Sequence, residues 1–219
     1  MKILITGAAG FVGCKMVKYF RSNDQAVELF GIDNLSRKGS ESNIGQLEKL
    51  GCTFFKGDIS IQSDIDALPK VNWVIDCAAE PSVLAGLDGG SLKLINNNLT
   101  GTFYLLEKCK RDNAGFIMLS TSRVYSINAL NTIQFSSNGK RFEIPTSGNL
   151  PIGFSEKGAA EHFTTSAPIS MYGATKLASE VLALEYHYSF GFPIKCLVRI
   201  ACTYQFTTIN GSTGSLVNF

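Results

Sequence analysis

The sequence predicts an α/β fold, a doubly wound parallel sheet with helices on both faces, on the strength of two observations. Short apolar runs recur along the chain, and strands that are buried on both faces of a parallel sheet have this continuous apolar character. Helical patterns alternate with the runs, which favours right-handed crossovers between parallel strands. Strands are predicted at residues 2–6, 26–32, 52–56, 73–77, 116–120 and 194–200, and helices at 11–21, 41–50, 92–111 and 172–190.

The composition indicates one globular domain with no nucleic-acid or membrane partner. Hydrophobic residues make up 45% of the 219 residues and charged residues 17%, as in chains that bury a large core. The net charge is +2 and the Lys and Arg residues are scattered, so the sequence shows no basic patch for nucleic acid or anionic lipid. No apolar run approaches the roughly 20 residues of a membrane-spanning helix. A small-molecule ligand is therefore expected.

The six cysteines lie far apart along the chain, with no CxxC pair and no histidine at ligand spacing. This arrangement argues against a zinc site and against a disulfide framework, and it suits the reducing cytoplasm. We therefore predict that the protein binds no metal and is cytoplasmic.

Residues 126–170 interrupt the alternation of strands and helices. The segment contains many Asn, Ser, Gly and Pro residues and shows neither the helical nor the strand period. About 45 residues are too many for an ordinary connection, and long loops of this kind are usually functional. Because the segment follows a strand at the edge where open α/β sheets bind ligands, we expect it on the substrate side. Its aromatic residues either line a substrate pocket or anchor the segment to the domain.

The strongest local signal is a glycine motif between the first strand and the first helix. Gly7 would permit the tight turn, Gly10 would admit a pyrophosphate to the backbone, and Gly13 would let the helix pack closely on the strand. A tight turn without a ligand is the alternative interpretation. Asp33 follows Gly13 by 20 residues at the end of the second predicted strand, and this context predicts a Rossmann-type dinucleotide-binding domain.

Asp33 also bears on which dinucleotide is bound. At the end of the second strand its carboxylate would accept hydrogen bonds from the adenosine ribose hydroxyls and repel a 2′-phosphate, so NAD is favoured over NADP. Arg37 and Lys38 follow closely, and a guanidinium there could accommodate a 2′-phosphate, although solvated loop cations are commoner.

The spacing of the glycines resembles that of the extended short-chain dehydrogenase/reductases, the NAD-dependent epimerase/dehydratase family of nucleotide sugars. Residues 33–36, 57–59, 77–80 and 98–102 are similar, in order, to four further family motifs. These are the ribose-binding turn, the adenine-contacting turn, the loop beside the nicotinamide-side phosphate and ribose, and a helix motif whose Asn98 helps to set the active-site strand. The resemblance implies that NAD is bound by Gly7, Gly10, Phe11, Val12, Gly13, Asp33, Asn34, Ser36, Arg37, Asp58, Ile59, Ala78, Ala79, Glu80, Asn98, Ser120, Tyr172, Lys176 and Ile200.

Catalysis in this family rests on a Tyr and a Lys four residues apart, and Tyr172 and Lys176 fit this pattern. Spacing of i, i+4 places both on one helix face, where the ammonium could lower the pKa of the phenol and bind the nicotinamide ribose. Tyr104 and Lys108 form a second pair with the same spacing. Only Tyr172 follows a strand that ends in hydroxyl residues, so we assign catalysis to Tyr172 and expect Tyr104 to pack within its helix.

The hydroxyl that would contact the reacting sugar oxygen lies in residues 119–125. Counting along the family pattern selects Thr121, with Ser120 and Ser122 as alternatives, since hydroxyls at strand ends often only cap a turn. The resemblance assigns substrate contacts to Thr121, Ser122 and Arg123. In the sugar 4,6-dehydratases an acidic pair follows this Thr and eliminates water. Ser122 and Arg123 stand there instead, so dehydration is not expected.

Within the family, residues 34–39, 150–163 and 170–176, together with the long segment, look most like the CDP-paratose (CDP-tyvelose) 2-epimerases. We expect residues 1–200 to form the NAD-binding domain and residues 201–219 to be the start of a truncated substrate-binding region. Because family members continue through a substrate domain, the chain is expected to bind NAD but to turn over nucleotide sugars poorly.

Three functions are left open by the sequence. The leading one is epimerisation of a nucleotide sugar by transient oxidation to a keto sugar and return of the hydride. The second is another sugar-nucleotide reaction, such as that of a 4-epimerase or a reductase. The third is a dinucleotide-binding module without catalysis. The helices at 92–111 and 172–190 resemble those that pair between the subunits of family dimers, so a homodimer is also expected.

Overall fold

The computed structural model describes residues 1–82, 90–137, 139, 142–144 and 150–197. At its centre is a sheet of six parallel strands in the spatial order β3-β2-β1-β4-β5-β10. These strands are β1 (Lys2–Thr6), β2 (Glu28–Asp33), β3 (Cys52–Lys56), β4 (Trp73–Asp76), β5 (Gly115–Leu119) and β10 (Ile194–Leu197). The strand order reverses between β1 and β4, as in doubly wound dinucleotide-binding folds, and the predicted fold class is confirmed.

Helices connect the strands of this sheet. They are α1 (Phe11–Asn23), α2 (Ile44–Lys49), α3 (Gln62–Asp66), α4 (Ser91–Ile95), α5 (Gly101–Asp112), α6 (Ile127–Asn131) and α7 (Met171–Phe190). Short 3₁₀ turns at Ser40–Asn43 and Ser122–Val124 precede α2 and follow β5. A π-turn at Asn96–Thr100 joins α4 to α5, so the helix predicted at 92–111 is continuous but contains one wider turn.

Apolar side chains pack on both faces of the sheet. Successive residues of a strand point to opposite faces, and Leu4 accordingly belongs to one buried cluster while Ile3 and Ile5 belong to the other. The cluster around Leu4 includes side chains of α5 and α7, and the cluster around Ile3 and Ile5 includes side chains of α1 and α2. Helices therefore cover both faces, as the continuous apolar runs predict.

The long segment at 126–170 contains regular structure that its sequence pattern did not predict. After α6 there are two short antiparallel ladders: β6 (Ser136–Ser137) pairs with β7 (Phe142–Glu143), and β8 (Phe154–Ser155) pairs with β9 (Gly158–Ala159). The rings of Tyr125 and Phe154 pack edge-on against Phe163, with centroid distances of 5.4 and 5.7 Å. Phe154 and Phe163 therefore anchor the segment, which is one of the two roles expected for its aromatic residues.

The remaining differences from the predicted elements are small. Helix α3 was missed because five residues are too few to show a helical period, and β2 begins two residues later than predicted. The predicted boundary at residue 200, the end of the last predicted strand and Ile200 itself lie outside the described residues. In the part of the chain that is described, no helix is long and apolar enough to cross a membrane.

Candidate cofactor and active site

The glycine motif forms a tight loop between β1 and α1 in which two glycines have no room for a side chain. Gly7 has a φ of +58°, and a Cβ on it would lie 3.0 Å from the backbone N of Ala78. A Cβ on Gly13 would lie 2.2 Å from the carbonyl oxygen of Gly7. Gly10 caps α1 without any side-chain hydrogen bond, so the first N–H groups of the helix are left for an anion. Phe11 and Val12 occupy the first turn of the same helix.

Asp33 ties this loop to the end of β2. Its Oδ2 accepts the N–H of Ala9 at 3.1 Å and its Oδ1 accepts the N–H of Leu35 at 2.8 Å. Asn43 secures the loop from the other side, because its Nδ2 donates to the carbonyl oxygen of Ala9 at 2.8 Å. A carboxylate has about four acceptor positions, so Asp33 keeps acceptor capacity for hydroxyl donors. The tight glycine loop and this carboxylate together fit the pyrophosphate and ribose of a dinucleotide.

The turns that follow β2 and β3 are joined by one side-chain hydrogen bond. The Nδ2 of Asn34 donates to Oδ2 of Asp58 at 2.8 Å, and Ser60 donates both its N–H and its hydroxyl to Oδ1 of Asp58. Burial alone would raise the pKa of Asp58, but these hydrogen bonds and the charge of Lys93 together outweigh it and hold the pKa below its ordinary value. Ser36 donates its N–H to Oδ1 of Asn34, which completes the turn.

Two residues of the predicted cofactor set lie in contrasting places. Ile59 is buried, and its side chain fills the space that a Cβ on Gly101 of α5 would need. Arg37 is exposed, and only its carbonyl oxygen bonds to the 3₁₀ turn, at Ser40. Ile59 therefore packs beneath the turn after β3. Arg37 is a solvated cation in the turn after β2.

The loop after β4 is held by buried polar groups. The Thr6 hydroxyl donates to Oδ1 of Asp76 at 2.6 Å and accepts the N–H groups of Cys77 and Ala78 at 3.1 and 3.0 Å. The chain from Ala78 through Ala79 to Glu80 then runs along the carboxyl edge of the sheet beside the glycine loop. This is the edge at which open α/β sheets bind ligands.

Asn98 connects that loop to α7. Its Oδ1 accepts the N–H of Glu80 at 2.8 Å, and its Nδ2 donates to the carbonyl oxygen of Glu80 at 3.2 Å and to Oγ1 of Thr175 at 3.3 Å. The Asn98 carbonyl oxygen accepts hydroxyls from Thr102 and Ser179. Asn98 lies in the π-turn, a feature that is frequent at functional sites. It bonds to the loop after β4 and to α7, whereas the family resemblance had connected it with the active-site strand.

Helix α7 begins in direct contact with the turn that follows β5. Ser170 caps the helix, and its Oγ accepts the N–H of Gly173 at 3.1 Å. A Cβ on Gly173 would lie 2.2 Å from the carbonyl oxygen of Arg123, so only glycine lets the two elements approach this closely. Ser170 itself has a φ of +74° and a ψ of 155°, a conformation nearly confined to glycine, and such strain clusters at functional sites.

This contact brings Thr121 and Tyr172 together. Both are buried, at 7% and 8% exposure, and the Thr121 hydroxyl acts to lower the pKa of the Tyr172 phenol. Thr121 Oγ1 also accepts the N–H of Arg123 at 3.2 Å. Of the three hydroxyls considered, Thr121 is thus the one beside the phenol. Ser120 instead donates to Glu180 of α7.

The pKa of Tyr172 differs from the sequence-based expectation. Burial raises the pKa of the phenol above its ordinary value, and the Asp76 carboxylate acts in the same direction, while Thr121 and the Arg123 cation oppose them. A lowered pKa was expected from Lys176, one helical turn away. Burial outweighs the favourable effects of Thr121 and Arg123, and sequence spacing does not reveal the extent of burial.

A cavity of about 410 Å³ opens between the 3₁₀ turn after β5 and the start of α7. Arg123 is half-buried there, and burial lowers the pKa of its guanidinium. Polar and apolar side chains from the 3₁₀ turn, α6 and the start of α7 share the wall. The lining residues are Ser122, Arg123, Tyr125, Ile127, Leu130, Asn131, Phe135, Ile169 and Ser170.

The second Tyr-Lys pair, Tyr104 and Lys108, packs in the interior of the domain. Lys108 is fully buried, pairs with Asp112 at 2.8 Å and donates to the carbonyl oxygen of Pro69 at 2.8 Å. Tyr104 packs against the apolar cluster on the same face of the sheet. The expectation that Tyr104 packs within its helix agrees with this arrangement.

Sequence reasoning missed several residues that organise the site. Thr6 and Asp76 lie 70 residues apart and meet only because β1 and β4 pair in parallel register. Ser170 had a local signal, since a serine directly before a helix is an expected N-cap, and Gly173 stood out as a glycine within a helical pattern. Asn43 and Thr175 carried no signal that distinguishes them from surface residues.

The fold and the site define a class: a Rossmann domain whose carboxyl edge holds a dinucleotide loop, a Tyr-Lys helix and a strand-end threonine. The sequence model of the NAD dependent epimerase/dehydratase family matches residues 3–201, and the chain belongs to this family. The chain is 31% identical over 205 residues to a dTDP-D-glucose 4,6-dehydratase of Dictyostelium discoideum, covering 88% of the chain and 42% of that protein.

Two other comparisons bear on the site. A CDP-paratose 2-epimerase of Salmonella typhi is 30% identical over 197 residues, covering 87% of the chain and 54% of that protein. The crystal structure of a Bacillus cereus UDP-glucuronic acid 4-epimerase with UDP-glucuronic acid and NAD superimposes with a TM-score of 0.66 at 30% identity, covering 90% of the chain and 55% of the epimerase. The chain thus spans about half the length of these relatives.

Proposed function

We propose that the protein binds NAD across the carboxyl edge of its sheet. Gly10 and the first turn of α1 would take the pyrophosphate, Asp33 the adenosine ribose, and Lys176 the nicotinamide ribose. The observation that carries the proposal is the loop in which side chains are excluded at Gly7 and Gly13 while Asp33 braces Ala9. The exposed Arg37 leaves an opening for NADP, but the Asp33 carboxylate would repel a 2′-phosphate.

We further propose that the site epimerises a nucleotide sugar. NAD held by these residues would supply the acceptor and later the donor of the hydride that leaves one face of the sugar carbon and returns to the other. Tyr172 takes the proton of the sugar hydroxyl and later gives it back, and Thr121 holds the same oxygen. Lys176 favours the phenolate through its charge. Burial raises the pKa of Tyr172 and so works against the phenolate, whereas the Arg123 cation favours it.

Epimerisation fits the turn after β5 better than dehydration. Elimination of water needs an acid and a base beside the reacting carbon, and the two residues after Thr121 are Ser122 and Arg123. For the substrate we propose a CDP-sugar of the paratose and tyvelose type, with chemistry at C2, on the strength of the similarity to the Salmonella enzyme. A UDP-sugar 4-epimerase is the second candidate, favoured by the Bacillus cereus structure.

The test uses the 219-residue protein with each nucleotide in turn. Titration calorimetry should show NAD binding more tightly than NADP. NMR of CDP-tyvelose and of UDP-glucuronic acid, each incubated with protein and NAD, should show slow conversion of the CDP-sugar, in keeping with the poor turnover expected of this chain. Binding of NAD without conversion of either sugar would favour a non-catalytic binding module over the epimerase.

Two variants check the assigned roles. Tyr172→Phe should lower kcat by about 10²- to 10⁴-fold and leave NAD affinity nearly unchanged, because only the general base is removed. Lys176→Met should reduce both kcat and the affinity for NAD. A Tyr172→Phe protein as active as its parent would overturn the site assignment.

We also propose that the outer faces of α5 and α7 bind a second copy of the chain. They border a groove of about 730 Å³ lined by apolar side chains, including Phe103, Leu177 and Val181. Within the described residues nothing covers this groove, and exposed apolar patches of this kind usually mark interfaces. The proposed interface and Tyr172 therefore both lie on α7.

A further inference from the structure

One arginine in the described part of the chain is half-buried and has no partner for its side chain. Arg21 donates to three backbone carbonyl oxygens, Arg111 pairs with Asp66, and Arg37 is exposed to solvent. The Arg123 guanidinium, by contrast, makes no hydrogen bond and no ion pair within the described residues. A partly buried charge is costly without a counter-ion, and burial lowers the pKa of this guanidinium. Arg123 therefore suits a ligand that carries an anionic group.

Arg123 lines the cavity of about 410 Å³ between the 3₁₀ turn and the start of α7. Neither Asp nor Glu occurs among the described residues of its wall. The Ser170 Oγ accepts the N–H of Gly173, and this bond leaves the hydroxyl proton available to a ligand. The Tyr125 hydroxyl proton goes to the carbonyl oxygen of Ala160 at 3.0 Å, and apolar side chains form much of the remaining wall. One cation and few other donors in an apolar cavity fit a small anionic ligand.

Two of the residues that line this cavity are held close to Thr121 and Tyr172. Arg123 follows Thr121 by two residues, and its N–H donates to Thr121 Oγ1 at 3.2 Å. Ser170 precedes Tyr172 by two residues, and the carbonyl oxygen of Arg123 lies so close to Gly173 that a Cβ there would be 2.2 Å away. A sugar whose hydroxyl lies between Thr121 and Tyr172 would thus have a neighbouring ring substituent within reach of the Arg123 side chain.

The two candidate reactions both place an anionic group on the carbon next to the reacting one. In a nucleotide sugar that reacts at C2, the neighbouring C1 carries the diphosphate. In a nucleotide-linked uronic acid that reacts at C4, the neighbouring C5 carries the carboxylate. A neutral hexose that reacts at C4 has only hydroxyl and hydroxymethyl groups on the adjacent carbons. A guanidinium binds phosphate and carboxylate oxygens alike, because its parallel N–H groups match both.

We propose that Arg123 determines substrate specificity: in this cavity its guanidinium pairs with an anionic oxygen group, phosphate or carboxylate, on the sugar carbon next to the reacting one. The inference rests on the proposed function, which places the reacting hydroxyl between Thr121 and Tyr172. A neutral hexose that reacts at C4 is selected against, because it would take water from the guanidinium without supplying a counter-ion.

The test titrates three small sugars into the 219-residue protein, with and without NAD, and follows binding by NMR. Glucose 1-phosphate carries a phosphate next to C2, methyl glucuronide carries a carboxylate next to C4, and methyl glucoside is neutral. We expect at least one anionic sugar to bind at least about tenfold more tightly than methyl glucoside. Preference for the phosphate indicates reaction at C2, and preference for the carboxylate indicates reaction at C4. Equal affinities, or no binding at millimolar concentrations, would overturn the proposal.

Three variants assign this preference to one side chain. Arg123→Gln should weaken the preferred anionic sugar at least about tenfold and leave methyl glucoside unchanged. Arg123→Lys keeps the charge without the planar fork and should give an intermediate affinity, which also decides the matter if Arg123→Gln does not fold. Arg111→Gln, at an exposed arginine paired with Asp66, is the matched control and should bind like the parent. Parental affinities in Arg123→Gln, or in Arg123→Lys where that variant replaces it, would overturn the proposal.

A free anion separates recognition of a sugar from a general attraction of negative charge. Inorganic phosphate or acetate that binds as tightly as the corresponding anionic sugar would overturn the inference. Failure of the proposed epimerisation has a different signature, a Tyr172→Phe protein as active as its parent. Failure of this inference is an unchanged sugar preference in Arg123→Gln. Because the three sugars carry no nucleotide and need no turnover, the two failures are distinguishable.

Discussion

At the scale of single residues, the carboxylates at the end of β2 and just after β3, Asp33 and Asp58, have different roles. Asp33 braces the glycine loop through Ala9 and keeps acceptor capacity for a ligand. The oxygens of Asp58 instead accept hydrogen bonds from Asn34 and Ser60 within the protein. Substitution of the first should therefore be felt in ligand binding, and substitution of the second in stability.

Replacing Asp33 by Ala should weaken NAD binding by about 1 to 3 kcal/mol, and NADP binding by less. The variant loses a charged acceptor for ribose hydroxyls, and it also loses a group that would repel a 2′-phosphate. Titration calorimetry with both dinucleotides measures the difference. Asp33→Asn is the matched control, because its amide oxygen can still brace Ala9. An unmutated protein that already prefers NADP would contradict the assignment.

Asp58 should give the protein an acid-sensitive component of stability. Its pKa is lowered in the folded state, so its stabilising contribution is complete above the ordinary carboxyl pKa near 4 and is lost as the pH falls through the lowered value. Asp58→Asn removes this component, and Asn34→Ala reduces it. Urea unfolding at pH 5, 4 and 3 should therefore show a shallower loss of stability in both variants. The exposed Glu48→Gln serves as control, and a parental slope in Asp58→Asn would refute the expectation.

At the scale of elements, the start of α7 decides the geometry of the site. Gly173 lets the first turn of α7 lie against the carbonyl of Arg123, and this approach puts Tyr172 beside Thr121. Asn98 then ties the second turn to the loop after β4 through Thr175. The helix is thus fixed at two points close to Tyr172.

Gly173→Ala should destabilise the protein by about 1 to 3 kcal/mol, despite the better helix propensity of Ala, because the new methyl group would meet backbone and force α7 away from the turn. Gly45→Ala in α2 is the matched control. Nothing lies within 4 Å of a Cβ there, and the same substitution should stabilise by about 0.5 to 1 kcal/mol. Urea denaturation measures both. Equal effects of the two substitutions would show that the close contact is not strained.

At the scale of the whole molecule, the groove beside α5 and α7 leads to a prediction about assembly. Val181 lines the groove and is 55% exposed, so Val181→Glu would place a charge in any interface formed there. Light scattering at micromolar concentration should give a dimeric mass for the parent and a monomeric mass for this variant. Ile152→Lys, at an apolar residue that is 92% exposed and outside the groove, should remain dimeric. A monomeric parent would contradict the proposed dimer.

The central sheet could be predicted from the sequence because its strands are buried on both faces and so appear as uninterrupted apolar runs. The glycine loop could be predicted because its backbone geometry excludes other residues at fixed spacing. The Thr6 and Asp76 contact could not, since it depends on the register of strands 70 residues apart. The direction of the Tyr172 pKa was also missed, because neighbouring charges can be read from spacing whereas desolvation cannot.

The π-turn at Asn96–Thr100 restricts insertions and deletions in its part of the chain. A π-turn holds one residue more than an α-turn needs, so deleting one residue there would leave a regular α-turn with the downstream helix still in phase. Leu105 and Cys109 of α5 would stay in the core, but the wider turn from which Asn98 bonds to both Glu80 and Thr175 would be lost. The exposed turn between β8 and β9 holds no such contact, so insertions and deletions should be tolerated there and selected against at the π-turn.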